Sequence, residues 1–175
     1  MLGYQFILFL LGYLYGFRAE RQRRRLEQSD LELPSISLMT RFINLESLAF
    51  QWIVQAGRWR LLRMATLPGT NYLIRRSLLE ELGGWDEQAL TEDAEMSIRI
   101  YQAGYLIKFI PYAVTWEQEP ESLRVWFKQR IRWARGNNYV LEKYFTQVFR
   151  IQPRVVGFEL FYAMAVYYVF FLAIL

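Results

Sequence analysis

The chain contains no cysteine and no histidine. Without cysteine there is no disulfide and no thiolate metal site. Without histidine the commonest general base and the commonest metal ligand are both missing. Acid–base chemistry therefore falls to carboxylates, lysine or tyrosine. Aspartate is scarce too: Asp30, Asp86 and Asp93 are the only ones, and no Asp-x-Asp pair occurs. Internal repeats and low-complexity stretches are absent. What is plentiful is apolar. Hydrophobic residues make up 54% of the 175 positions and aromatic residues 18%, more than a soluble chain of this length usually carries. The length leaves room for one domain of ordinary size.

The apolar residues gather at the two ends. Leu2 to Phe17 is almost wholly apolar, a little short of the roughly 20 residues a spanning helix needs. Arg18, Arg21, Arg23, Arg24 and Arg25 follow at once. A secretory signal carries its charge before the apolar run, so this order suggests a retained anchor. The positive-inside rule then places the Arg cluster in the cytoplasm and the N-terminus outside. Val155 to Leu175 is a second apolar run, preceded by Arg150 and Arg154, and reads as a helix leaving the cytoplasm again. A buried core helix is the plainer reading of each run. The net charge of +4 is concentrated beside the first segment. Topology accounts for that placement, so no nucleic-acid partner is expected.

Between the ends, helix and strand signals alternate. Asn44 can cap a helix bearing Leu45, Leu48, Trp52, Ile53, Ala56 and Trp59 at helical spacing. Pro68-Gly69 breaks it. Asn71 to Ile74 is strand-like. Ser77-Leu78-Leu79-Glu80 has the form of a capping box, and Gly83-Gly84 ends the short helix it would start. A helix is predicted from about Glu92 to Ala103, with Gly104 as its stop. Tyr105 to Ile110 and Ala113 to Trp116 read as strands. A last amphipathic helix begins near Glu121.

Two motifs carry chemistry. Thr91-Glu92-Asp93 puts carboxylates at the head of a helix, after a glycine-rich turn. Gln129, Arg132 and Trp133 stand at i, i+3 and i+4 and so share a helix face. Asp93 suits a general base that deprotonates an attacking hydroxyl. The guanidinium of Arg132 suits a diphosphate, because its fork reaches two phosphate oxygens. Trp133 suits a flat sugar ring, and Trp85 a second aromatic contact. Each residue alone has a plainer explanation. Acids favour the first helical turn, an exposed Arg can face headgroups, and a lone Trp can simply pack or sit at a membrane interface.

Taken in order, these motifs resemble the C-terminal half of the catalytic domain of processive membrane-bound family 2 glycosyltransferases. The series runs Gly69-Thr70-Asn71, Gly83-Gly84-Trp85, Thr91-Glu92-Asp93, Gly104-Tyr105, Pro111, Pro120-Glu121 and Gln129 to Trp133, trailed by Ala134-Arg135-Gly136. The likeness spans about Thr40 to Phe145 and is strongest to poly-N-acetylglucosamine synthases. It implies an α/β fold, a partial nucleotide-diphospho-sugar transferase domain of the GT-A type flanked by transmembrane helices. Residues 1–17 would be a transmembrane helix, and 18–39 a basic linker with a first-strand remnant. Residues 40–119 would be the acceptor-side half of the domain, 120–150 interfacial amphipathic helices, and 155–175 a second transmembrane helix. The resemblance makes Asp93 the base of an inverting transfer. It makes Trp85, Glu92, Gln129, Arg132 and Trp133 substrate-binding residues. Because base and diphosphate clamp must address one glycosidic centre, Asp93, Trp85 and Trp133 are expected to line one cavity that opens toward the first membrane helix. It further implies a lipid bilayer, a nucleotide-sugar, a polysaccharide acceptor and other synthase subunits as partners, at the plasma membrane with the catalytic part cytoplasmic.

The chain departs from that family in one respect. Complete members hold Mg²⁺ or Mn²⁺ on the diphosphate with an Asp-x-Asp motif, and no metal ligand of that kind is present here. Leu33 to Met39 resembles the first strand of the domain, whereas Thr40 to Asn44 resembles a segment far downstream. The nucleotide-binding half is thus expected to be missing between Met39 and Thr40, and the chain alone is expected not to polymerise sugar. A non-catalytic membrane or glycan-binding protein derived from such a synthase is the alternative.

Overall fold

The computed structural model describes residues 38–115, 117 and 119–174. The expected first transmembrane helix, the basic linker and the first-strand remnant lie outside them. The chain divides into two compact units, one built from residues up to Ala65 together with Lys108–Phe127, the other from Thr66–Ile107 and Lys128 onward.

In the first unit, helix α1 (Leu38–Ala49) runs through a π-helical stretch (Phe50–Gln55) into α2 (Ala56–Leu62). The predicted cap at Asn44 is not one: Asn44 lies inside α1. An interior Asn costs a helix only tenths of a kcal/mol, which the apolar residues upstream of it outweigh. Arg63, left-handed at φ 53°, ends α2 several residues before the Pro68-Gly69 breaker. Ile43, Ala56, Met64 and Ala65 are buried with the polar Gln55 and Arg58, and the Ser47 hydroxyl donates to Glu119 Oε1 at 3.1 Å.

The second unit holds α3 (Arg76–Glu81), α4 (Glu92–Gln102), most of α5 (Leu123–Tyr144) and α6 (Arg154–Ile174), with a 3₁₀ turn at Val148–Arg150. Its core forms where Met96 and Ile100 of α4 meet Leu67, with Tyr72, Ile74, Leu78, Leu79, Leu82 and Ile107 packed around them. Full burial of each such aliphatic side chain contributes about 1.5–3 kcal/mol. Ser97 ties the entering chain to α4: its hydroxyl accepts the Leu67 N–H at 2.9 Å and donates to the Asp93 carbonyl at 2.8 Å.

The predicted capping box at Ser77 does not form. Arg75 occupies the N-cap without a side-chain bond. Glu80, which the box would need, pairs with Arg76 one turn back at 2.8 Å, an ordinary i,i+4 attraction. Gly83 and Gly84 end α3 as expected. Both have positive φ, and the Gly84 N–H reaches the Leu79 carbonyl at 2.9 Å, closing the α3 end as a left-handed C-cap does. Helix α4 covers nearly its predicted span and stops before Gly104.

The expected α/β character is not observed: among the described residues there is no strand. Asn71–Ile74, 105–110 and 113–115 run without regular structure. A strand exists only through a ladder of bonds to a neighbour, and none of these segments has one among the described residues. The last helix covers the predicted apolar run, yet among the described residues no helix is long and apolar enough to cross a membrane. Gly157 of α6 sits so close to the Val148 carbonyl that a Cβ there would fall 1.9 Å from the oxygen.

Candidate functional site

The site grows from the first turn of α4. Glu92, Asp93 and Glu95 all fall there, where the unpaired N–H groups and the helix dipole favour negative charge. Thr91, the N-cap, makes no side-chain cap bond. Its hydroxyl is buried without a hydrogen-bond partner, because α5 presses on it. A Cβ added to Gly136 would lie 2.6 Å from both Thr91 Oγ1 and Cγ2, and 2.8 Å from the Thr91 nitrogen. Gly136 is thus the point of closest approach between α5 and the head of α4, which locates the Ala134-Arg135-Gly136 sequence in space.

That approach delivers the second motif. Arg132, one turn before Gly136, is exposed and donates from Nη1 to the Leu90 carbonyl at 3.2 Å. Its charge is near enough to act on Asp93. Burial raises the Asp93 pKa above its ordinary value and the Glu92 charge pushes the same way. A hydrogen bond from the Ala94 N–H and the Arg132 charge oppose them without cancelling the rise. A carboxylate so placed holds a proton more readily than a solvated one, as a base for a hydroxyl should. One of its oxygens faces Gly69, whose added Cβ would stand 3.1 Å from Asp93 Oδ2. Gly69 therefore keeps this side of the carboxylate uncrowded.

The aromatic residues are placed differently. Trp85 is 39% exposed and packs edge-on against Tyr72, with ring centroids 6.2 Å apart. The Tyr72 hydroxyl is raised in pKa by burial and then by the charges of Glu92 and Asp93. Trp85 thus joins the carboxylate pair through Tyr72. Trp133 is half-buried and carries the Arg130 guanidinium over its ring at 4.3 Å, a cation–π contact. Gln129 Oε1 is buried and has no hydrogen-bond partner. The structure therefore sets Glu92 and Asp93 at the head of α4 within electrostatic reach of Arg132, while Trp85 packs on Tyr72. Gln129 and Trp133 lie on the same helix as Arg132. A hollow of about 550 Å³ is lined by Phe149, Arg154, Val155 and Phe158, none of them a predicted site residue.

A second polar cluster escaped the sequence reading. Glu95, wholly buried, is 2.7 Å from Arg99 Nη2 and 2.9 Å from Lys143 Nζ, and accepts the Tyr144 hydroxyl. Lys143 also pairs with Asp86 Oδ2 at 2.7 Å, and the Tyr139 hydroxyl donates to the same oxygen at 2.8 Å. The hydrogen bond from Lys143, followed by those from Tyr139 and the Gln88 N–H, lowers Asp86 to about 2. Desolvation works against the charge on Lys143, but its bonds to Asp86 and Glu95 prevail and its pKa rises. Burial, and then the bond to Glu95, lifts Tyr144 to about 12. The signal in the sequence was faint: a carboxylate beside the apolar Met96 and Ile98, and a Tyr139–Lys143 pair one helical turn apart.

The expected divalent metal does not fit these residues. Among the described residues no group of three or more Asp, Glu, His or Cys side chains could hold one. Of the carboxylates near Arg132 only Glu92 and Asp93 are at hand, since Asp86 is already bound by Lys143 and Tyr139.

Residues 35–175 match the glycosyl transferase family group 2, and the chain belongs to that family. It is 52% identical over 139 residues to a probable glycosyltransferase, YdaM, of Bacillus subtilis, covering 79% of this chain and 33% of that protein. It is 40% identical over 76 residues to the poly-beta-1,6-N-acetyl-D-glucosamine synthase of Staphylococcus aureus, covering 43% of this chain and 18% of the synthase. The chain thus spans a third or less of the length of these relatives. No solved structure matches it.

Proposed function

We propose that this chain is the acceptor-side part of a membrane-bound family 2 glycosyltransferase that extends a polysaccharide by inverting displacement. One observation carries the reading: the carboxylate of Asp93, half-buried at the head of α4, lies within electrostatic reach of the exposed guanidinium of Arg132, which bonds the Leu90 carbonyl. A base and an anion clamp must address one glycosidic centre, and the influence of the Arg132 charge on Asp93 supports that pairing of roles. Asp93 takes the proton of the acceptor hydroxyl as its oxygen attacks the anomeric carbon. The bond from that carbon to the diphosphate breaks, and the electron pair leaves with the diphosphate, whose charge Arg132 meets. Glu92 and Gln129 bind substrate polar groups, and Trp85 and Trp133 offer flat faces to sugar rings.

The transferred sugar is N-acetylglucosamine from a nucleotide donor. The likeness to the S. aureus synthase supports this. Membrane attachment through both apolar ends, with the Arg18 to Arg25 cluster inside, is supported by the order of charge and apolar residues. The test is an enzyme assembled from this chain and a donor-binding segment of the family, supplied with labelled UDP-N-acetylglucosamine. Incorporation into polymer is expected from the assembly and not from the chain alone. Incorporation of a different sugar only would overturn the assignment of the donor. Failure of the assembly to transfer any sugar, while it binds glycan, would favour the second reading, a glycan-binding protein without turnover.

A further inference from the structure

Asp93 and Glu95 lie two residues apart on α4, about 200° around the helix, so they face opposite ways. The chemistry proposed for Asp93 leaves Glu95 without a task. Yet Glu95 is wholly buried and engages Arg99, Lys143 and Tyr144. One of its oxygens meets Arg99 at 2.7 Å and the other meets Lys143 at 2.9 Å. Both partners lead to the same loop. Arg99 donates from Nη1 to the Leu82 carbonyl at 2.7 Å, just before Gly83. Lys143 holds Asp86 at 2.7 Å, just after Trp85, and Tyr139 holds the same oxygen.

Between these two anchors, Gly83 and Gly84 are tied back to α3 by backbone bonds to the Glu80 and Leu79 carbonyls at 3.1 and 2.9 Å, but little side-chain packing holds the stretch that leads on to Trp85. Gly83 and Gly84 have φ of +82° and +79°, and a Cβ added to either would meet nothing within 4 Å. Glycine here removes the steric cost of the turn and packing around it supplies no restraint. Trp85, the next residue, rests on Tyr72 alone among its ring contacts described above. Beyond those backbone bonds, the pose of Trp85 depends on the two side-chain anchors, and both are organised by one buried charge.

We propose that Glu95 is a positioning residue: through Arg99 on one oxygen and Lys143 on the other, it clamps both ends of the Gly83–Trp85 loop and so sets where Trp85 stands to receive the acceptor sugar. The clamp rests on the reading of Trp85 as an acceptor contact, but its geometry does not. Without Glu95 the two cations lose their shared counter-charge and the loop is released at both ends, while the Leu67, Met96 and Ile100 core is untouched.

The experiment is amide hydrogen exchange on this chain, comparing residues 83–88 with residues 96–102 of α4. Glu95→Gln, Lys143→Met and Lys143→Arg are measured beside the parent, and the affinity of each for a β-linked N-acetylglucosamine oligomer is taken in parallel. Loss of one charge-assisted hydrogen bond should speed loop exchange at least about tenfold. That increase is expected in Glu95→Gln and Lys143→Met, absent in Lys143→Arg, and absent from 96–102 throughout, with weaker oligomer binding in the first two variants. If Glu95→Gln does not fold, Lys143→Met, at a partly exposed site, decides alone. Unchanged loop exchange, or an increase shared equally by 96–102, overturns the clamp. A loosened loop in a chain whose parent binds no oligomer supports the clamp and overturns the acceptor reading instead.

Discussion

Replacing Gly136 by alanine sets two effects of opposite sign against each other. In an exposed helix interior the change stabilises by about 1 kcal/mol, because alanine loses less backbone freedom. Here the new Cβ would fall 2.6 Å from the Thr91 side chain and 2.8 Å from its backbone nitrogen. A rotamer change at Thr91 would relieve the first contact but not the second, so α5 must lift from the head of α4. Overpacking of this kind costs about 1–3 kcal/mol. The contact also sets the reach of Arg132 to the Leu90 carbonyl, one helical turn away. The net expectation is a loss of up to about 2 kcal/mol, or a fall of up to about 8 °C in melting temperature for a chain of this size. Thermal unfolding of parent and variant in the same detergent or nanodisc measures it. A Gly136→Ala variant that melts higher than the parent would refute the close approach, and with it the mechanism that brings Arg132 to Asp93.

Two further outcomes follow from the site. Burial holds the Asp93 pKa above its usual 3.8, so its charged form is disfavoured in the fold. The penalty is absent below the unfolded value, grows as pH rises toward the folded value, and is complete above it. Asp93→Asn should therefore be more stable than the parent at pH 7, and the difference should vanish below about pH 3.8, as pH-dependent unfolding will report. Arg132→Ala should weaken UDP binding by about 10–100-fold, the loss of a charge-assisted pair, with Arg132→Lys recovering only part because an ammonium cannot bind two oxygens side by side. Isothermal titration distinguishes the two variants.

Local signals were legible in the sequence and non-local ones were not. The start of α4 at Glu92 and its stop before Gly104 depend on neighbouring residues, and both stood where the pattern placed them. The adjacency of Gln129, Arg132 and Trp133 followed from helical spacing alone. The strands failed because alternation states only what a segment could do, and a ladder needs a partner. The capping box at Ser77 failed for a similar reason, since Arg76 competed for Glu80. That Arg132 exerts its charge on Asp93 agrees with the expectation from the two motifs that they approach one another, whereas the close approach at Gly136 needed coordinates. The Glu95–Lys143 bridge joins residues 48 positions apart, and no periodicity encodes such a distance. It could have been sought only by asking why Glu95 lies among buried apolar neighbours.

Asp93 is proposed as the base of a sugar transfer whose diphosphate Arg132 holds. That role is tested most directly by measuring transfer and UDP affinity together, in an enzyme assembled from this chain and a donor-binding segment, with and without Asp93→Asn. The Asp93→Asn enzyme is expected to lose transfer by at least about 100-fold, the scale of general-base catalysis, while binding UDP as the parent does. Transfer that persists in Asp93→Asn at close to the parent rate would contradict it.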